Sequence, residues 1–192
     1  MTTLIMVQKD SDVELGWDSQ LTRSNEKHSL TAPKIFVNGG LILGVTGVSR
    51  ASDILETTEF PTYDPTLSPR HWLIKVFTPI LQEALAAQPY LMTDEGLLEG
   101  WGFAVVVEGQ VFQFDSMYNP AQQADGLYTM GSGGDYARGA LCAGASVAQA
   151  LEVAASIDPY TGGTLTTCLA STYLAANGEH ASVVQDGRLK VH

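Results

Sequence analysis

The chain has 192 residues, 45% of them apolar and 16% charged, with 21 acidic against 10 basic side chains and a formal net charge of −11. That length suits one domain, residues 1–192, with material for a sizeable core. An acidic chain with no basic stripe speaks against a nucleic-acid partner. No apolar run reaches the ~18 residues of a membrane span. No basic-then-apolar leader opens the chain, so the expectation is a cytoplasmic protein with no membrane partner.

In chain order, Thr3–Val7 and Val13–Trp17 are apolar runs around a polar Asp-Ser-Asp cluster, which predicts a β-hairpin. Arg23–Leu30 is polar and reads as a surface excursion. Pro33–Val37 and Leu41–Gly47 flank Asn38-Gly39-Gly40, a strong turn signal, and predict a second hairpin. Ser49–Thr57 reads as a helix with Ser49 or Ser52 as its cap. After a proline-rich stretch, His71–Leu85 has helical apolar spacing interrupted by Pro79. Gly102–Val107 and Val111–Phe114 form a strand pair, and Leu127–Met130 is a short strand running into Gly131-Ser132-Gly133-Gly134. Asp135–Ala145 and Val147–Ser156 are alanine-rich helices. Thr164–Ala175 and His180–Val191 are expected as closing strands. Antiparallel hairpins with helices outside predict an α+β fold, two sheets sandwiched between helix layers. Cys142 and Cys168 form no C-x-x-C pair and read as buried, reduced thiols.

Several polar residues fall at the ends of these elements. Thr2 follows Met1. A threonine hydroxyl is a poor nucleophile alone, but a free α-amine on the same residue, with a pKa near ~7.7–8.0, would serve as its base. By itself a Met-Thr start is commonplace. Lys34 would hold positive charge beside such a nucleophile, and Asp18 would pair with it; taken singly, each is an ordinary surface charge. Gly47, at a strand end, would let a backbone N–H approach an oxyanion, or is a plain turn glycine. The Gly-Ser-Gly-Gly loop lacks the lysine of a phosphate-binding P-loop, so Ser132 is instead placed near the N-terminal amine. Asp158 and Thr161, three positions apart in a loop, would tune that amine, or simply end a helix.

Taken together these positions resemble the proteasome β-subunit family, and HslV-type bacterial or phage peptidase subunits most of all. The residues that carry the likeness are Met1-Thr2-Thr3-Leu4-Ile5-Met6-Val7, Gly16-Trp17-Asp18, Pro33-Lys34-Ile35, Gly44-Val45-Thr46-Gly47, the Tyr128–Ala137 loop and helix, and Asp158–Gly163 with Thr161 where the family has serine. Glu56–Glu99 matches none of the family's motifs.

The resemblance implies a four-layer αββα N-terminal nucleophile hydrolase. It implies catalytic roles for Thr2, Asp18, Lys34, Gly47, Ser132, Asp158 and Thr161, and a substrate pocket shaped by Val45 that favours modest apolar side chains. It further implies self-assembly into stacked homo-oligomeric rings, polypeptide substrates and an ATP-dependent unfoldase partner. No organic cofactor is expected. A structural sodium or magnesium ion near Ala155, Asp158 and Thr161 is. Three other readings stand beside this one: an inactive structural ring subunit, an amidohydrolase acting on small amides, and a binding module with a coincidental glycine loop.

Overall fold

The computed structural model describes residues 2–24, 26–88, 91, 96–98 and 100–178. Its frame is two antiparallel sheets. The first has the order β10-β1-β2-β11 and is built from β1 (Leu4–Gln8), β2 (Val13–Asp18), β10 (Leu127–Met130) and β11 (Leu165–Leu169). The second runs β5-β6-β7-β8-β9, from β5 (Ile35–Asn38), β6 (Leu41–Thr46), β7 (Gly102–Val107), β8 (Gln110–Phe114) and the two-residue β9 (Pro120–Ala121). β3 (Gln20–Arg23) and β4 (Glu26–Ser29) make a separate hairpin; β4 is exposed and lies in the predicted surface excursion, whereas β3 starts at the buried Gln20.

Side-chain alternation along these strands sorts the apolar residues into three clusters. Leu4, Met6 and Leu15 of the first sheet meet Ile42, Ala104 and Val106 of the second, and fill the space between the sheets. Ile5 and Val7 point the other way, onto Ala150, Leu151 and Ala154 of the helix α5 (Val147–Ile157) and Ala137 of α4 (Gly134–Cys142). Leu43, Phe103 and Phe112 of the second sheet face Leu55 of α1 (Ser49–Thr57), Phe77, and Leu81 of α3 (Thr78–Ala86). Three interfaces define four layers, helix–sheet–sheet–helix, as expected. Both faces of each sheet are covered, so Leu41, Ile42, Leu43 and Val45 are all buried.

The helix that precedes β7 is continuous in three pieces: α2 (Pro69–Trp72), a π-helical turn over Leu73–Phe77, and α3. The wide turn lies just before Pro79, whose ring clashes with a carbonyl four residues back and which has no N–H to donate there. The expected interruption is therefore a local widening within a continuous helix. Ser68 caps it, accepting from the His71 N–H at 3.4 Å.

Three expectations need correction. Neither Ser49 nor Ser52 caps α1; its N-cap is Val48, with no side-chain cap bond. The predicted strand Thr164–Ala175 is β11 followed by the helix α6 (Ala170–Asn177), because the chain turns from β-branched Thr166-Thr167 to alanine-rich sequence. α6 is held by the Tyr173 hydroxyl, which donates to the Ile35 carbonyl at 2.5 Å, and by an edge-on contact of Tyr173 with Trp17 at 5.6 Å. Cys142 is exposed and Cys168 half-buried, so neither is a core thiol. The expected strand at His180–Val191 lies outside the described residues. No helix among the described residues is long and apolar enough to cross a membrane.

Candidate active site

Polar residues are rare inside this molecule, and they gather at one end of the first sheet. Thr2, Thr3, Asp18, Gln20, Lys34, Asp158 and Thr161 are all buried. The pleat explains how the first two divide. Thr3 has the parity of Ile5 and faces the α5 side; Thr2 has the parity of Leu4 and faces the second sheet.

Asp18, the last residue of β2, is fully buried and saturated with donors. Its Oδ1 accepts from Lys34 Nζ at 2.8 Å and from the Thr3 backbone N–H at 2.8 Å. Its Oδ2 accepts from the backbone N–H groups of Gln20 and Gly162, both at 3.1 Å. Lys34, just before β5, also donates to the Gln20 carbonyl at 2.7 Å. Burial pushes the Lys34 ammonium below its ordinary pKa; the adjacent Asp18 carboxylate opposes this without cancelling it. The ion pair thus ties β2, the start of β5 and the N-terminal strand into one fixed corner.

A second cluster lies on the other side of Thr3. Asp158, just past the end of α5, accepts from the Ser132 hydroxyl and the Thr161 hydroxyl, both at 2.6 Å on Oδ2, and from the Tyr160 N–H at 3.1 Å. Burial raises the Asp158 pKa, but these hydrogen bonds outweigh it and leave the carboxyl below its ordinary value. The Thr161 hydroxyl also lies 2.6 Å from that of Thr3. A carboxylate only accepts, so Thr161 gives its proton to Asp158 and must accept from Thr3. The chain of donors runs Thr3 to Thr161 to Asp158. Thr3 was missed in the sequence, where it reads as the first residue of a strand.

Two glycines make room for this arrangement. A Cβ on Gly131, whose φ is +88°, would fall 1.9 Å from the Thr2 carbonyl oxygen. One on Gly133 would fall 2.1 Å from Thr3 Oγ1. The Gly-Ser-Gly-Gly loop is therefore a seat for the start of the chain.

Thr2, Lys34, Val45 and Gly47 line one cleft of about 190 Å³. Thr2 is only 5% exposed, and no described residue hydrogen-bonds its hydroxyl. Gly47 has φ +95°, and a Cβ there would lie 2.3 Å from the Gly100 carbonyl oxygen, so only glycine fits this bend. Ser132, Asp158 and Thr161 reach Thr2 through Thr3 and its neighbours and not by lining that cleft. Ala155 sits one turn before Asp158 in α5, and the Asp158 carbonyl accepts from the Thr161 N–H at 3.2 Å. Donors of that kind suit a hard cation bound through oxygen. Among the described residues no group of three His, Cys, Asp or Glu side chains is placed to hold a metal.

No family model matches the chain, and no curated protein sequence does. Solved structures do. BPH from Thiobacillus denitrificans aligns with a TM-score of 0.67 and 20% identity, over 87% of this chain and 96% of that one. Its complex with epoxomicin gives 0.65 at 20% identity, over 87% and 97%. Eukaryotic HslV from Trypanosoma brucei gives 0.60 at 21% identity, over 87% and 98%.

The fold is that of HslV.

The two sheets and flanking helices of this chain thus share the layered backbone architecture of HslV and BPH, nearly end to end. At 20–21% identity the likeness is one of backbone architecture.

Proposed function

We propose that this chain is a threonine endopeptidase subunit whose nucleophile is Thr2, acting with a free α-amine. One observation carries the reading: the Thr2 hydroxyl, with no hydrogen-bond partner among the described residues, shares a cleft with Lys34 and Gly47. The HslV-like fold supports it, as does the epoxomicin complex of the BPH neighbour.

In this reading Thr2 Oγ attacks the carbonyl carbon of a peptide bond, and its proton passes to the Thr2 α-amine. The Gly47 N–H steadies the oxyanion. The amine then delivers the proton to the departing nitrogen as the C–N bond breaks, leaving an ester on Thr2. Water, deprotonated by the same amine, hydrolyses that ester and restores the hydroxyl. Lys34 holds positive charge beside these steps, and Asp18 fixes Lys34 in place. The Asp158 cluster fixes Thr3, hence the backbone that carries Thr2. A cation near Ala155, Asp158 and Thr161 would brace that turn and takes no part in the chemistry. Stacked homo-oligomeric rings enclosing the cleft, an ATP-dependent unfoldase that feeds them, and a cytoplasmic setting complete the proposal.

The test is Thr2→Ala. Turnover of fluorogenic peptides should vanish while fold and assembly, read by circular dichroism and size-exclusion chromatography, stay as in the parent. Epoxomicin should block the parent's turnover. The mature N-terminus, weighed by mass spectrometry, should begin at Thr2. A variant that still cleaves peptides, or an active preparation retaining Met1 on every copy, would end the assignment.

A further inference from the structure

The cleft beside Thr2 has two chemically distinct walls. One is apolar and includes Leu21, Leu30 and Val45. The other is a single stripe of α1. Ser49, Ser52, Asp53 and Glu56 fall at i, i+3, i+4 and i+7, so they share one helix face, and all four line the cleft. Ala51, Ile54 and Leu55 take the opposite face and are buried. This placement also explains why Ser49 and Ser52 are not helix caps.

The charges do not balance. Lys34 is already matched by Asp18 at 2.8 Å. Asp53 has only Arg50 at 3.7 Å, with both side chains more than half exposed at 61% and 51%, a pairing that contributes little. Glu56 has no ion pair among the described residues. Two carboxylates therefore set the sign of the cleft. The Thr2 side chain is the independent sign that something docks here: it is only 5% exposed, it lines this cleft, and no described residue hydrogen-bonds its hydroxyl.

We propose that this cleft takes a lysine or arginine side chain of the polypeptide substrate. Its methylene stem lies along Leu21, Leu30 and Val45, and its cationic head reaches Asp53 and Glu56. The proposal rests on the peptidase reading of Thr2. It replaces the expectation that Val45 selects modest apolar side chains: Val45 is part of the stem wall, and the acidic stripe opposite it does the selecting.

The experiment uses the whole protein and three fluorogenic peptides that differ only at the residue whose carbonyl is attacked: lysine, norleucine and glutamate. Norleucine has nearly the shape of lysine without the charge. The lysine peptide should exceed the norleucine peptide in kcat/KM by about tenfold, the scale of two partly exposed charge contacts. The ratio should fall toward one in Asp53→Asn/Glu56→Gln, and in the parent as salt rises to about 0.5 M. Glu56→Lys should turn preference toward the glutamate peptide. Both positions are exposed, so circular dichroism should report an unchanged fold. A parent ratio of one or less, or a ratio that the double variant leaves intact, overturns the acidic selectivity while the peptidase reading stands. Failure of the parent to cleave any of the three overturns both.

Discussion

Asp18 and Asp158 lie at the same end of one sheet and are equally hidden, at 0% and 4% exposure, yet they are satisfied in opposite ways. Asp18 faces a cation and three backbone N–H groups; Asp158 faces two hydroxyls and one N–H. The first is a charge held by a charge in a dry corner. The second is a charge spread mainly over neutral donors, with a smaller attraction from the chain's amino terminus. What the contrast teaches is that each flank of Thr3 is fixed by its own carboxylate, one through the backbone N–H and the other through the side-chain hydroxyl.

The comparison breaks first at Asp18. Asp18→Ala leaves a buried ammonium uncompensated and three N–H groups without their acceptor. The expected cost is about 3–5 kcal/mol, read from urea unfolding. A midpoint close to the parent's would show that Lys34 escapes to water or loses its proton at little cost, and that the corner is not fixed by charge.

Asp158→Asn should cost less, about 1–3 kcal/mol, because its hydrogen-bond donors are neutral and the attraction from the amino terminus is the smallest of its contributions. Its pH dependence sharpens the contrast. The folded pKa lies below the unfolded 3.8, so the unfolded chain binds the proton more readily. The carboxylate's contribution is complete above 3.8 and fades as pH falls through the lower folded value. The stability gap between parent and Asp158→Asn should accordingly be constant near neutrality and shrink in strong acid. A gap that widens in acid would reverse the sign of the assignment.

Thr3→Val should have the smallest effect, about 1 kcal/mol or roughly 2–4 °C in melting temperature, since Thr161 still donates to Asp158 and loses only the proton it accepts. A loss as large as that of Asp18→Ala would mean that the two flanks are one cooperative network.

Much of this was legible in the chain. Asn38-Gly39 marks the second hairpin because glycine takes the left-handed backbone at φ +61° that the turn requires. Asp18 and Lys34 were readable as a pair from their places at the end of one strand and the start of another. Thr3 was not, because its hydroxyl partner is 158 positions away and a threonine at a strand start is unremarkable. The acidic stripe of α1 was readable as carboxylates following a helix start, but not as a cleft wall, since that requires knowing which face of the helix packs. The two-residue β9 leaves no periodic trace at all, and the α6 boundary was lost because Leu165 to Ala175 contains no charge, glycine or proline to mark a break.

Covering both faces of each sheet has an effect on tolerance to change. A strand with one wet face offers every second position to drift. In β6, neighbouring Leu41, Ile42 and Leu43 point alternately into two different dry layers, so no register of that strand is spare. Sequence freedom in this architecture is left to exposed segments such as β4 and to the outward faces of helices away from the cleft, the places where copies of one fold can diverge to about a fifth identity while the sandwich between them is kept.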